Sequence, residues 1–185
     1  MAINQNTYHM SSYQNKIIKK KLFCSKYLIP LFKIIPLICV VLFLNNVCFA
    51  NNKTIMYINK YKHLCDSLSA VYHIPSGVIL SISLLESSIG EGNSAKRLNN
   101  FFGIEGRNNL YKTHKIKSRY KQYNNAKESF IDFCNLMTRK KYYSKLKTSN
   151  NCIEWIKTIS ENNYSEQPAI WYKRVTQIIS SLKLC

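Results

Sequence analysis

One stretch constrains this chain more than any other: residues 75–92, reading PSGVILSISLLESSIGEG, place a single carboxylate at the end of an apolar run. At about 100° per residue on a helix, Val78, Ile82, Leu85 and Ile89 share one side, Ile79 lies at its edge, and Glu86 projects between Ile82 and Ile79. An ionised carboxylate loses more hydration on burial than a hydrocarbon gains, so in that setting the group keeps its proton to higher pH, as a general acid must. The plain alternative is a glutamate at the rim of the stripe, pointing to water. Pro75 suits a first helical turn, where its missing N–H has no partner to lose. Ser87, Ser88, Gly90 and Gly92 stop the helix. The NNFFGIEG segment that follows sets two amides and two aromatic rings beside a glycine turn. Folded back toward the carboxylate, it offers donors and stacking faces to a sugar.

Upstream, the first 50 residues hold six lysines (Lys16, Lys19, Lys20, Lys21, Lys26 and Lys33) and no acid. An apolar run from Ile34 to Leu44 comes next, short for a membrane span, and Cys48-Phe49-Ala50 presents small residues where a signal peptidase reads. Residues 1–50 therefore read as an export signal, with an uncleaved anchor over residues 28–50 as the competing reading if Lys33 snorkels. What remains, 51–185, has room for one domain. It keeps 21 of the 27 basic residues against all 9 acidic ones, a net charge of +12.

A surface that basic favours polyanions. The chain has no zinc spacing, basic-helix pattern or aromatic RNA-binding motif, so nucleic acid is not expected. For an exported protein, anionic wall polymers or a membrane surface are the expected partners, beside a simply solvated basic surface; a monomer is assumed. Four of the seven cysteines lie past the leader: Cys65, Cys134, Cys152 and Cys185. None has metal-ligand spacing, so neither metal nor cofactor is implied. In an oxidising compartment they form two bridges in one of three pairings, or remain buried thiols.

Periodicity predicts further helices around the central one. Tyr57, Tyr61, Leu64, Cys65, Leu68, Val71 and Tyr72 form the buried side of a first helix that ends before Pro75. Residues 107–123 alternate weakly and read as a small hairpin or extended loop. Asn125 and Glu128 suit a capping box for a helix burying Ala126, Phe130, Phe133, Cys134 and Met137. Cys152, Trp155, Ile156 and Ile159 mark another helix after Asn151, and Trp171, Val175, Ile178, Ile179 and Leu182 the last. Both tryptophans fall within apolar stripes and are assigned to packing. His73 sits at a turn before Pro75, His114 lies among lysines and is expected to face solvent, and neither carries assigned chemistry.

The run Pro75-Ser76, Leu85-Glu86-Ser87, Gly90, Ser94-Ala95-Lys96, Asn99-Asn100-x-Phe102-Gly103-Ile104 and Gly106 resembles the signature of the bacterial glucosaminidase domain, glycoside hydrolase family 73. A second segment, Tyr120-Lys121-x-Tyr123 followed by Asn124, Ala126, Glu128 and Ser129, is similar to that family's Phe-Arg-x-Tyr motif, with Tyr for Phe and Lys for Arg. Tyr164-Ser165-Glu166-Gln167-Pro168 resembles its tyrosine loop. The resemblance implies a mainly α, lysozyme-like fold and hydrolysis of the β-1,4 bond after N-acetylglucosamine in peptidoglycan glycan strands. It implies Glu86 as catalytic acid, Tyr164 as active-site tyrosine, and Asn100, Phe102, Gly103 and Tyr123 as residues that bind substrate or shape the cleft.

The chain also departs from that family's pattern in its acids: glycoside hydrolysis ordinarily uses two carboxylates, yet no Asp or Glu occurs between residues 106 and 127, where many family members place the second. Three readings stay open: the substrate's acetamido group attacks the anomeric carbon; Glu105, Glu91 or Glu166 reaches the site from another loop; or the domain binds glycan without cutting it. A lytic transglycosylase, which also pairs one Glu with a following Ser, is the rival enzyme class.

Overall fold

The central apolar run forms a helix with no wet side. The computed structural model describes residues 52–185, and within them the helices are α1 (52–72), α2 (Ser76–Glu86), α3 (Asn93–Leu98), α4 (Leu110–His114), α5 (Ala126–Thr138), α6 (Tyr143–Leu146), α7 (Cys152–Glu161) and α8 (Pro168–Leu182). Every residue of α2 from Gly77 to Leu84 is buried, so Leu80 and Leu84, off the stripe read from the sequence, are covered as well. What permits this is the choice of polar residues between them. Ser81 and Ser83 are small, and their hydroxyls donate back to the carbonyls of Val78 and Leu80 at 3.2 and 2.9 Å, which removes their need for water.

A helix apolar all round needs neighbours on all sides. α5, α7 and α8 pack against α2, and α7 and α8 pack on each other. The stripes expected for α5 and α7 are the buried ones, and Trp155 is fully enclosed. Their starts are fixed by asparagine caps. Asn125 accepts from Glu128 N, while the Glu128 carboxylate accepts from Asn124 N, one residue earlier than an ordinary capping box; Asn151 accepts from Ile153 N and Glu154 N. On α1, Tyr57, Tyr61, Cys65 and Leu68 are buried as expected, but Val71 is 69% exposed. It falls at one edge of the stripe, whereas Tyr72, at the other edge, packs against the core and its carbonyl accepts from the Tyr143 hydroxyl.

The stretch read as a hairpin or extended loop is neither a plain loop nor a pair of strands. Glu105 and Tyr120 form an isolated antiparallel bridge, flanked by Gly106 N to Arg119 O (2.9 Å) and Lys121 N to Ile104 O (2.8 Å), and the chain between them turns through α4. One side chain takes over the pairing that further strand residues would supply. Asn108 donates Nδ2–H to the carbonyls of Ser118 and Tyr120, both at 2.8 Å, and accepts from Leu110 N at 3.1 Å. Leu110 is buried and anchors α4.

One disulfide, Cys152–Cys185, joins the start of α7 to the tail after α8, while Cys65 and Cys134 are buried free thiols, so the outcome combines the two cysteine readings. Burial pushes the Cys134 thiol up to about 12, which keeps it protonated and inert. The bridge lies against α2: a Cβ at Gly77 would run into Cys185 Sγ and the Leu184 carbonyl. The expected leader or anchor, residues 1–50, lies outside the described residues. Among those described, no helix is long and apolar enough to cross a membrane.

The bridge closes 33 residues of separation, for which chain-entropy arguments give about 4 kcal/mol. Cys185→Ser should therefore lower Tm by roughly 13 °C in calorimetry, and a reductant should do the same to the unaltered chain and nothing to the variant.

Candidate active site

Glu86 is the last residue of α2, where the buried helix emerges, and it is neither sealed in the core nor held out in water. Trp171, from the first turns of α8, donates its indole Nε1–H to Glu86 Oε1 at 2.7 Å. Burial raises the carboxyl above its ordinary range, opposed by the indole bond and the positive charge of Arg174. The indole has no lone pair to offer and can only donate, so in the neutral acid Oε1 is the carbonyl oxygen and the proton rides on Oε2. Oε2 is the oxygen beside Gly103: a Cβ there would stand 3.9 Å from it and 3.8 Å from the Tyr120 ring. Gly103 also has φ +67°, a conformation glycine adopts without strain.

Two depressions meet at this carboxyl, one of about 940 Å³ and one of about 480 Å³, and Glu86 and Tyr120 line both. The larger is walled by Phe102, Gly103, Tyr164, Glu105 and Glu166, the smaller by Arg97, Leu110 and Lys117. A cleft thus runs past the acid on both sides.

Tyr164 does reach the acid's surroundings. Its ring lies 5.2 Å from that of Trp171, its hydroxyl donates to the Phe102 carbonyl at 3.2 Å, and burial followed by the Glu86 charge holds that hydroxyl well above its ordinary pKa, so it stays a neutral donor. Gly103 is at the carboxyl itself. Asn100 and Phe102 serve the cleft from behind. Asn100 is fully buried and uses its side chain on backbone, donating to the carbonyls of Ile104 (2.8 Å) and Lys121 (2.9 Å) and accepting from Phe102 N and Ile104 N. Phe102 stacks on Phe133 at 4.2 Å and edges Phe130 at 4.9 Å, so its ring belongs to the core although the residue borders the cleft. Tyr123, expected to meet substrate, is buried, and its hydroxyl donates to Asp132 at 2.8 Å, where Lys121 also pairs at 2.6 Å. That hydroxyl and the Lys121 ammonium are spent on fixing the 120–123 segment to α5.

Of the three carboxylates considered as a second catalytic group, Glu91 pairs with Lys96 and borders neither depression. Glu105 and Glu166 do line the larger one, and Arg119 holds both, at 3.2 and 3.7 Å. Sequence reasoning missed two residues here. Trp171 was read as packing, which it does at 5% exposure, but its one polar atom is aimed at Glu86. Tyr120 stands across the cleft from Glu86; its only signal was the substitution of Tyr for Phe in the second motif.

Similarity to known proteins agrees with this geometry. Residues 62–184 match the family model for glucosaminidase, described as mannosyl-glycoprotein endo-beta-N-acetylglucosaminidase. Among solved structures, the catalytic domain of the autolysin Auto from Listeria monocytogenes is 22% identical and superposes with a TM-score of 0.59, covering 71% of this chain and 85% of that one. A C-terminally truncated glycoside hydrolase domain of FlgJ from Salmonella typhimurium is 18% identical, with a TM-score of 0.58, covering 71% and 99%. A type VI secretion system effector–immunity complex from Pseudomonas protegens matches at 15% identity and a TM-score of 0.50, covering 67% and 89%. None of the curated proteins matches. At these identities the structural likeness establishes the mainly helical, lysozyme-like fold.

The raised carboxyl has a thermodynamic signature. The folded chain holds the Glu86 proton more tightly than the unfolded chain does, so the stability it contributes is full below the ordinary glutamate range and is lost as pH rises through the folded value. Glu86→Gln, which keeps an acceptor for Trp171, should match the parent in urea unfolding at pH 3 and exceed it at pH 7. A variant less stable at pH 7 would mean that the carboxylate is not burdened by its surroundings.

Proposed function

The chain belongs to the glucosaminidase family of glycoside hydrolases, and on that premise we propose that it cleaves the β-1,4 bond after N-acetylglucosamine in peptidoglycan, with Glu86 as the general acid. The hydrogen bond from Trp171 Nε1–H to Glu86 Oε1 carries this reading: it fixes which oxygen bears the proton and turns that oxygen toward the cleft. A strand lying across both depressions has a glycosidic oxygen to present at Oε2. Gly103 leaves room for that approach, and Tyr164 supplies a hydroxyl that stays protonated and is held by a single carbonyl.

For the attack on the anomeric carbon, the reading favoured is substrate assistance. Glu105 and Glu166 are solvent-exposed and both engaged by Arg119, and the chain from Glu105 to the start of α5 offers no other acid. Glu86 gives its proton to the bridging oxygen as the acetamido carbonyl oxygen of the same sugar bonds to the anomeric carbon. The bond to the leaving sugar breaks, Glu86 then takes a proton from water, and that water opens the cyclic intermediate to a reducing N-acetylglucosamine. Two displacements on one carbon give net retention of configuration. A base such as Glu105 delivering water from the opposite face would give inversion. Residues 1–50 are proposed to direct export to the cell envelope, either as a cleaved signal ending at Ala50 or as an anchor through residues 28–50, which brings the enzyme to the wall.

Digestion of sacculi decides among these readings. Glu86→Gln should lose about three orders of magnitude in reducing-end release, Glu105→Gln should stay within a few-fold of the parent, and NMR should show the β-anomer forming first. An α-anomer with an inactive Glu105→Gln would make Glu105 the base. Anhydro-muramic termini would make the protein a transglycosylase, and binding without fragments a wall-binding module.

Trp171→Phe separates the donor from its packing. The bond favours the ionised carboxylate, so its loss should carry the basic limb of the kcat/KM profile to higher pH while activity falls about tenfold to a hundredfold. An unmoved limb would show that the indole does not bear on the acid.

A further inference from the structure

The two arms of the cleft differ in charge. In the larger arm Glu105 and Glu166 are matched in number by Arg119, which pairs with both, and Lys140. The smaller arm is lined by Arg97 and Lys117 and by no acid except Glu86 at its inner end. Lys117 and Ser118 continue into an adjoining depression of about 460 Å³, whose walls add Arg107 and Lys112 and again no acid. None of these four cations has an ion-pair partner among the described residues, whereas Lys96, Lys121 and Arg119 all do. The loop that presents three of them is not a floppy fringe. Its base is closed by the Glu105–Tyr120 bridge and its interior is fastened by Asn108. Three such positive groups on a pinned loop, with Arg97 on α3 beside them, repel one another and lower the energy of any anion that enters between them.

Resting on the hydrolase reading above, we propose that this arm is a binding site for carboxylates of the peptide stems borne by the same glycan strand that lies at Glu86. The cationic track begins at the catalytic carboxyl, so an anion that occupies it while a strand fills the cleft hangs from that strand, close to the bond being cut. Peptide stems carry free carboxylates at that reach; the sugars themselves are neutral. A separate polyanion has no such continuity with the acid. The smaller arm then receives the stem-bearing side of the scissile bond, and the balanced arm receives neutral sugar.

The test measures binding by the full chain carrying Glu86→Gln, so that nothing is consumed, to three preparations of soluble strands: with stems intact, with stem carboxylates converted to primary amides, and with stems removed and the sugar carboxylates thereby freed converted to primary amides. Intact strands should bind about fivefold more tightly than either of the others at low salt, as expected of a few exposed ion pairs, and the preference should fade at high salt. Adding Arg97→Ala and Lys117→Ala should bring the ratio close to one. The charge-keeping pair Arg97→Lys and Lys117→Arg should restore it, and Lys145→Ala with Lys147→Ala, away from the cleft, should leave it as it was. Equal affinity for all three preparations, or a preference that survives the alanine pair, overturns the proposal. Absence of reducing-end release by the unaltered chain would instead strike the hydrolase reading, and the binding ratio is read independently of it.

Discussion

A helix covered on every side can present a charged group only where it ends. In α2 that constraint decides the position of the site. From Gly77 to Leu84 every residue is buried, and the two serines among them are satisfied within the helix. Glu86 comes as the helix emerges, close enough to the apolar interior to feel desolvation and far enough out to meet a ligand. The turn that follows reverses the chain sharply, with Ser88, Ile89 and Gly90 all at positive φ, and Ser87 Oγ accepts from Gly90 N at 2.8 Å to hold it. A β-branched residue at φ +60° is costly, and surrounding packing has to maintain it.

Aromatic contact connects that helix end to the rest of the domain. Tyr61 stacks on Phe130 at 5.1 Å, Phe130 meets Phe102 edge-on, Phe102 stacks on Phe133, and Phe133 meets the edge of Tyr164, whose ring touches Trp171. The last member binds Glu86. The acid's orientation is therefore not a local matter of α2 and α8 but is supported by α1, α5 and the loop after α3. Each such ring pair adds about 0.5–1.5 kcal/mol beyond its buried area, and together they limit the rotamers open to the indole.

Much of this was legible in the amino-acid order. Amphipathic helices α5 and α7 declared their faces because polar and apolar residues alternate at helical period, and Glu86 stood out as the lone carboxylate between Asp66 and Glu91. Two things were hidden for physical reasons. The stripe read on α2 did not show that the rest of the helix is buried as well, since a helix without a polar face has little to contrast with its core. How the bridged loop is held was hidden because Asn108 does with a side chain what strands do with backbone, and one asparagine among many carries no mark of that task. Asn100 is the same device one loop earlier, which explains why an amide that looked like a sugar ligand turns inward. Trp171 was placed correctly in the core, but a contact between residues 85 positions apart cannot be seen from either alone.

The position of Glu86 where two depressions meet, rather than at a closed end, has a mechanical consequence for the hydrolysis proposed here. A blade seated midway along a groove severs filaments in their interior, so a few events suffice to halve average length and slacken a net under tension, with almost no soluble sugar shed. Turgor would register the damage well before any loss of mass did.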